Sequence, residues 1–161
     1  MKTINFAQLE SGLASIFLIA SEKRSAFTSR LKNLQRLGLC ANACAGRGIS
    51  SQYTFDQVGQ FIAALELSQL GLSPERAVET IDATWTSFQA GLEPANAGHL
   101  WIGLEVSFLS SLSSEPQPPL VAISRSIVDL LPFRRLILLD LQGIWARAAA
   151  VWGGIEGRAT C

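Results

Sequence analysis

The stretch "RLKNLQRLGLCANACAGRGISSQYTFDQV", Arg30 to Val58, carries three local patterns in succession. In the first, Leu31, Leu34 and Leu37 continue a stripe that begins at Phe27, and intervals of three and four place all of them on one side of a helix. Ser29, Arg30, Lys32, Asn33 and Arg36 are left on its flanks and opposite face. Gly38 follows, and glycine closes helices because it accepts a left-handed backbone without a Cβ penalty. The second pattern, "LCANACAGRGISSQ" from Leu39 to Gln52, has little hydrophobic period and two glycines around Arg47, which predicts a loop or a short wing. The third opens at Thr54, with Gln57 three residues on as the partner of a capping box. Phe55, Val58, Phe61, Ile62, Leu65 and Leu70 then recur at helical spacing as far as Gly71.

Outward from this stretch the same signals continue. Asn5 with Gln8 makes another capping box, and Phe6, Leu9, Leu13, Ile16 and Phe17 predict a first helix up to about Ala20. "SPERAV" supplies Ser73 as cap, Pro74 at the first helical position and Glu75 where the helix dipole favours an anion. Ala77, Val78, Ile81, Trp85 and Phe88 carry this fourth helix to Gly91. "GLEPANAG" (Gly91 to Gly98) is turn-rich and marks the expected domain boundary. Beyond it, "HLWIGLEVSFL" and "LVAIS" predict strands, "SRSIVDLLP" a short helix ending at Pro132, "RRLILLDL" a buried strand, and "QGIWARAAAVW" a helix with Ile144, Ala148 and Val151 on one side. The expected fold is α+β: a mainly helical N-terminal domain over 1–91, followed by a small α/β module over 92–161.

The 161 residues and a hydrophobic share of 48% suffice for a core. Net charge is zero, but the cations cluster: residues 1–50 hold seven Lys/Arg against two Asp/Glu, and residues 51–100 hold one against six. A cationic end is the electrostatic footprint of a polyanionic partner. The apolar run "GLASIFLIA" is too short to span a bilayer and is followed by "SEKR" where a leader would have small residues, so a cytoplasmic protein without a membrane partner is expected. Cys40, Cys44 and Cys161 are an odd set, which suits a reducing compartment. A zinc site at Cys40 and Cys44 would need two further ligands, and the single histidine, His99, has no adjacent carboxylate. No metal, no cofactor and no enzymatic activity are therefore expected.

Taken together, "SRLKNLQRLGL" and "GRGISSQYTFDQVGQFIAALELSQLGLSPERAVETI" resemble the winged helix-turn-helix of MerR-type regulators. In that family a second helix ends in a "G-L" step, a basic wing leads to an aromatic before a capped helix, and an "L-G-L-S" turn starts the next. The likeness covers roughly Asn5 to Trp85; Leu34-Gln35 stands where the family has a tyrosine pair, and the family's long C-terminal coiled coil has no counterpart. It implies a winged helix-turn-helix over 1–91, with a recognition helix near 26–37, a wing near 40–52, and residues 92–161 as a dimerisation or sensing module.

The residue types point the same way. A helix entering the major groove needs an apolar face to seat it and a polar face that reaches phosphates and base edges. Lys23, Arg24, Ser29, Arg30, Lys32, Asn33 and Arg36 are the candidates on or beside the helix, with Arg30, Asn33 and Arg36 as base contacts; Arg47 is the wing cation, and Tyr53 places a hydroxyl near a phosphate. Set against this stands the ordinary fate of charged residues, a solvated helix face, and for Tyr53 and Phe55 a place in the core. The expected function is sequence-specific binding of double-stranded DNA by a prokaryotic or phage transcriptional regulator acting as a homodimer, its small-molecule effector unassigned. The alternative is a protein-interaction adaptor that docks through a degenerate winged helix, with Glu75, Glu79 and Asp82 on the fourth helix as the contact.

Overall fold

A computed structural model describes residues 3–41, 51–91, 101–105, 120–124 and 136–156. In chain order its elements are β1 (Ile4–Asn5), α1 (Phe6–Ile16), a 3-10 turn (Ser21–Lys23), α2 (Arg24–Arg36), β2 (Gln52–Tyr53), α3 (Phe55–Gln69), α4 (Pro74–Gly91), β3 (Trp101–Glu105), β4 (Leu120–Ser124), β5 (Leu136–Asp140) and α5 (Leu141–Glu156). The described residues are mainly helical with small sheets, an α+β architecture. They divide into two compact units, Met1–Ile81 with Ile144–Cys161, and Asp82–Gly143. The boundary expected at residue 91 coincides with the end of α4, beyond this division, and α5 gives its residues from Ile144 onward to the first unit.

Helix starts follow the capping signals. The Asn5 side chain accepts from the Gln8 backbone N–H at 2.9 Å while the Gln8 side chain accepts from that of Asn5 at 3.0 Å. Thr54 and Gln57 make the same reciprocal pair at 3.3 and 2.8 Å, so two orphan donors are satisfied at the head of each helix. Helix ends follow glycine. Gly38, at φ 110°, donates to the Gln35 carbonyl while Leu39 N–H reaches Leu34; Gly71, at φ 97°, donates to Ser68 while Leu72 reaches Leu67. Both are Schellman closures.

The first helix departs from expectation. It ends at Ile16 rather than near Ala20, because Leu18 adopts φ 51° and closes the same motif, with Leu18 N–H to Ser15 and Ile19 N–H to Ala14. No glycine announces this end, and Leu18 is left 88% exposed. A left-handed leucine is strained by its Cβ, so Leu18→Gly is expected to raise stability by up to about 1 kcal/mol, read as a higher denaturant midpoint at unchanged m-value. A lower midpoint would mean that the leucine side chain contributes more than its backbone strain costs.

In the first unit α3 is the central element. Val58, Phe61, Ile62, Ala63, Ala64, Leu65 and Leu67 are all buried, so apolar residues surround most of its circumference. Leu9 and Leu13 of α1, and Phe27, Leu31 and Leu34 of α2, are buried as well. β1 pairs antiparallel with β2, Ile4 opposite Tyr53 and Asn5 opposite Gln52, which returns the chain beyond α2 to the start of α1. α5 presents Ile144, Ala148 and Val151 to this core. Its Trp145 and Trp152 rings lie 4.9 and 5.8 Å from that of Phe55, and Arg147 pairs with Glu66 of α3.

The second unit contains a three-stranded antiparallel sheet in the order β4-β3-β5. Its register pairs Ile102 with Ile123 and Leu139, and Leu104 with Val121 and Ile137, so positions of one parity carry aliphatic residues on all three strands. The expected helix in "SRSIVDLLP" lies outside the described residues. Among the described residues no helix is long and apolar enough to cross a membrane.

Candidate functional site

α2 buries Phe27, Leu31 and Leu34 and turns the rest of its circumference outward. It begins at Arg24, slightly earlier than expected, because the 3-10 turn at Ser21–Lys23 leads directly into it. Ser29, Arg30, Lys32 and Arg36 are exposed and Asn33 is half-buried. At 3.6 residues per turn, Ser29 and Arg36 run along the middle of the outward side with Asn33 next to Ser29, Lys32 lies on one flank, and Arg30 lies on the other. Lys23, exposed and seven residues before Arg30, extends the second flank. The helix sequence "RSAFTSRLKNLQR" holds no carboxylate, so nothing on the helix itself neutralises these cations.

Each candidate side chain has a definable state. Arg24 is withdrawn from the ridge: its guanidinium pairs with Glu10 of α1 at 3.0 Å, a bond between the two helices. The Ser29 hydroxyl donates to the Ser25 carbonyl at 3.0 Å and therefore offers lone pairs outward. The Lys32 ammonium stands 6.0 Å from the Phe6 ring centroid, over an aromatic face. The Arg36 Nη2 donates to Asn33 Oδ1 at 2.9 Å. Among the described residues Lys23 and Arg30 form no ion pair.

Tyr53 requires a correction. Its side chain is 0% exposed, its ring packs 5.8 Å from Phe61 and 6.5 Å from Phe6, and its hydroxyl accepts from the Gln35 amide. Pairing of β2 with β1 turns the ring inward, so this hydroxyl cannot meet a phosphate and the residue belongs to the core. Tyr53→Phe leaves the Gln35 amide without its partner and is expected to cost about 1 kcal/mol in chemical denaturation, with binding by the α2 surface unchanged. A loss of binding at unchanged stability would return Tyr53 to the site.

Of the wing expected over 40–52, Cys40, Ala41, Ser51 and Gln52 are described, and Arg47 lies outside the described residues. Cys40 is buried, with its thiol 3.0 Å from Gln60 Oε1, and Gln52 lies in β2. His99, Cys44 and Cys161 also lie outside. The acidic residues of α4 are at the surface: Glu75, Glu79 and Asp82 are exposed, and Arg76 pairs with Glu79 at 3.0 Å. Two features escaped sequence reasoning: the Asn33–Arg36 pair and the Glu10–Arg24 tie. The first was accessible from its spacing of three on a helix, whereas the second joins residues whose approach only the packing of α1 on α2 decides. No protein-family model, no curated protein and no solved structure matches the chain.

Proposed function

We propose that the chain is a cytoplasmic, sequence-specific regulator that binds double-stranded DNA through α2, in the manner of a winged helix-turn-helix, and acts as a homodimer. The observation that carries this reading is the outward surface of α2, where cations on both flanks border a polar ridge of Ser29, Asn33 and Arg36 and no carboxylate intervenes. A helix with its side chains is about 10–12 Å across, and the major groove is about 12 Å wide. Lys23 and Arg30 on one flank, with Lys32 on the other, are thus disposed toward the two phosphate walls, and Ser29, Asn33 and Arg36 toward base edges. An ordinary solvated helix face mixes both signs of charge. The likeness of the residues to MerR-type regulators, over roughly Asn5 to Trp85, is the second support for a winged helix-turn-helix. Dimerisation fits the small reach of one helix, since symmetry doubles the site read.

Fluorescence-anisotropy titration onto mixed genomic duplexes at two salt concentrations tests the proposal. Affinity is expected to fall steeply as salt rises, because bound phosphates release counterions. Salt-independent binding, or none at low salt, overturns it. A second reading, a protein-interaction adaptor, draws on Glu75, Glu79 and Asp82, which are exposed at intervals of four and three on α4. It prevails if a protein partner is lost on Glu75→Lys/Glu79→Lys while no duplex binds.

A further inference from the structure

We infer that the Asn33–Arg36 pair selects guanine, and rejects adenine, at the base it faces in the major groove. The inference rests on the DNA reading above and adds to it the chemistry of one recognised base. A free asparagine reads adenine with both ends of its amide: the oxygen accepts from the N6 amino group while the nitrogen donates to N7. In this protein Asn33 Oδ1 already accepts from Arg36 Nη2 at 2.9 Å. That oxygen keeps a second lone pair, so what the bond decides is where the guanidinium lies: beside the amide, on the outer side of the helix. The guanidinium beside it has five N–H donors in a planar fork and spends one of them on Asn33, so a second edge stays open.

The open edge of the Arg36 fork presents donors alone. Guanine is the base that shows two adjacent acceptors, O6 and N7, in the major groove, whereas adenine sets an amino donor beside its N7. Facing adenine, the fork would bring donor against donor and leave one hydrogen unpaired. α2 favours the arrangement further, since it holds no carboxylate to compete for the guanidinium. Asn33 acts here as a positioning residue: it holds the fork of Arg36 on the ridge instead of letting it swing toward the nearest phosphate.

The test begins with selection from a random duplex pool by the full chain, followed by titration of the recovered consensus duplex. At one guanine of each half-site, replacement by 7-deazaguanine or by adenine is expected to weaken binding about tenfold or more, the discrimination of one bidentate contact. Inosine, which keeps O6 and N7, is expected to bind as guanine does. Arg36→Lys retains the charge without the fork, so its salt dependence should match wild type while its preference for guanine over adenine disappears. Asn33→Ala should lose part of that preference. Arg36 is exposed and Asn33 half-buried on the outer face, so thermal unfolding of the variants should follow wild type. A consensus lacking guanine, or discrimination that survives Arg36→Lys, overturns the inference and leaves the DNA reading standing. Failure of wild type to retain any duplex at low salt overturns both.

Discussion

Arg30→Ala/Lys32→Ala/Arg36→Ala is expected to lower affinity for mixed duplex DNA by about a hundredfold at physiological salt, and to flatten the logarithmic salt dependence by about one for each phosphate no longer neutralised. Arg30 and Lys32 lie on opposite flanks of one exposed surface with Arg36 between them, so their removal takes away the cations for both groove walls and for the ridge between. The fold should survive. None of the three is buried, Arg30 and Lys32 form no hydrogen bond or ion pair among the described residues, and Arg36 bonds only to Asn33 on its own helix. Surface substitutions of this kind usually move stability by less than about 0.5 kcal/mol, so affinity and stability separate cleanly. Arg24→Ala provides the contrast. It breaks the ion pair with Glu10 that ties α2 to α1, so its effect should appear first in the unfolding transition and only weakly in the salt slope. If the triple variant binds with wild-type affinity and slope, the surface of α2 has no part in holding a polyanion.

Residue patterns foretold most elements of this fold because most of them depend on local chemistry. Asn5 and Thr54 cap their helices through side chains three residues away, and Gly38 and Gly71 take the left-handed conformation that closes a helix; neighbours in sequence decide all four. The strands Trp101–Glu105, Leu120–Ser124 and Leu136–Asp140 likewise fall within segments whose alternation or apolar runs predict them. What escaped prediction is tertiary. Leu18 ends α1 without any glycine signal, and the inward turn of Tyr53 follows from the pairing of β2 with β1. α5 joins the first unit through Phe55, Glu66 and Gly12, partners that lie between 81 and 139 residues away and that no local pattern connects. At the site, the apolar stripe of Phe27, Leu31 and Leu34 already marked which side of α2 would be buried, and so which side would be free. The inward ion pair of Arg24 and the internal bond of Arg36 are tertiary and rotameric outcomes, since residue type alone does not say which partner a guanidinium finds.

Gly12→Leu is expected to dislodge α5 and to lower stability by about 3 kcal/mol or more, the upper range for overpacking a core. A Cβ built on Gly12 would lie 2.5 Å from Val151 Cγ1 and 3.2 Å from both Cβ and Cγ2 of the same residue. Valine is stiff about χ1, so its methyl groups cannot rotate out of the way, and at 5% exposure Val151 has no open space to move into. The helices must therefore separate, and leucine widens the gap beyond what a single Cβ requires. Separation also disturbs what holds α5 in place: burial of Ile144 and Ala148, the tilted contact of Trp145 and the edge-on contact of Trp152 with Phe55, and the pair between Arg147 and Glu66. Denaturant titration followed by tryptophan emission reads both consequences, a lower midpoint and a red-shifted native baseline as the two indoles become wetter. The cause is isolated by a double-variant cycle with the smaller change. Gly12→Ala should destabilise alone, and Val151→Ala should destabilise alone by opening a cavity. Together they should cost less than their sum by about 0.5–3 kcal/mol, because the new methyl group occupies the space that valine vacates. Strict additivity would show that α1 and α5 do not meet at these two residues, and the seating of α5 on the first unit would have to be abandoned.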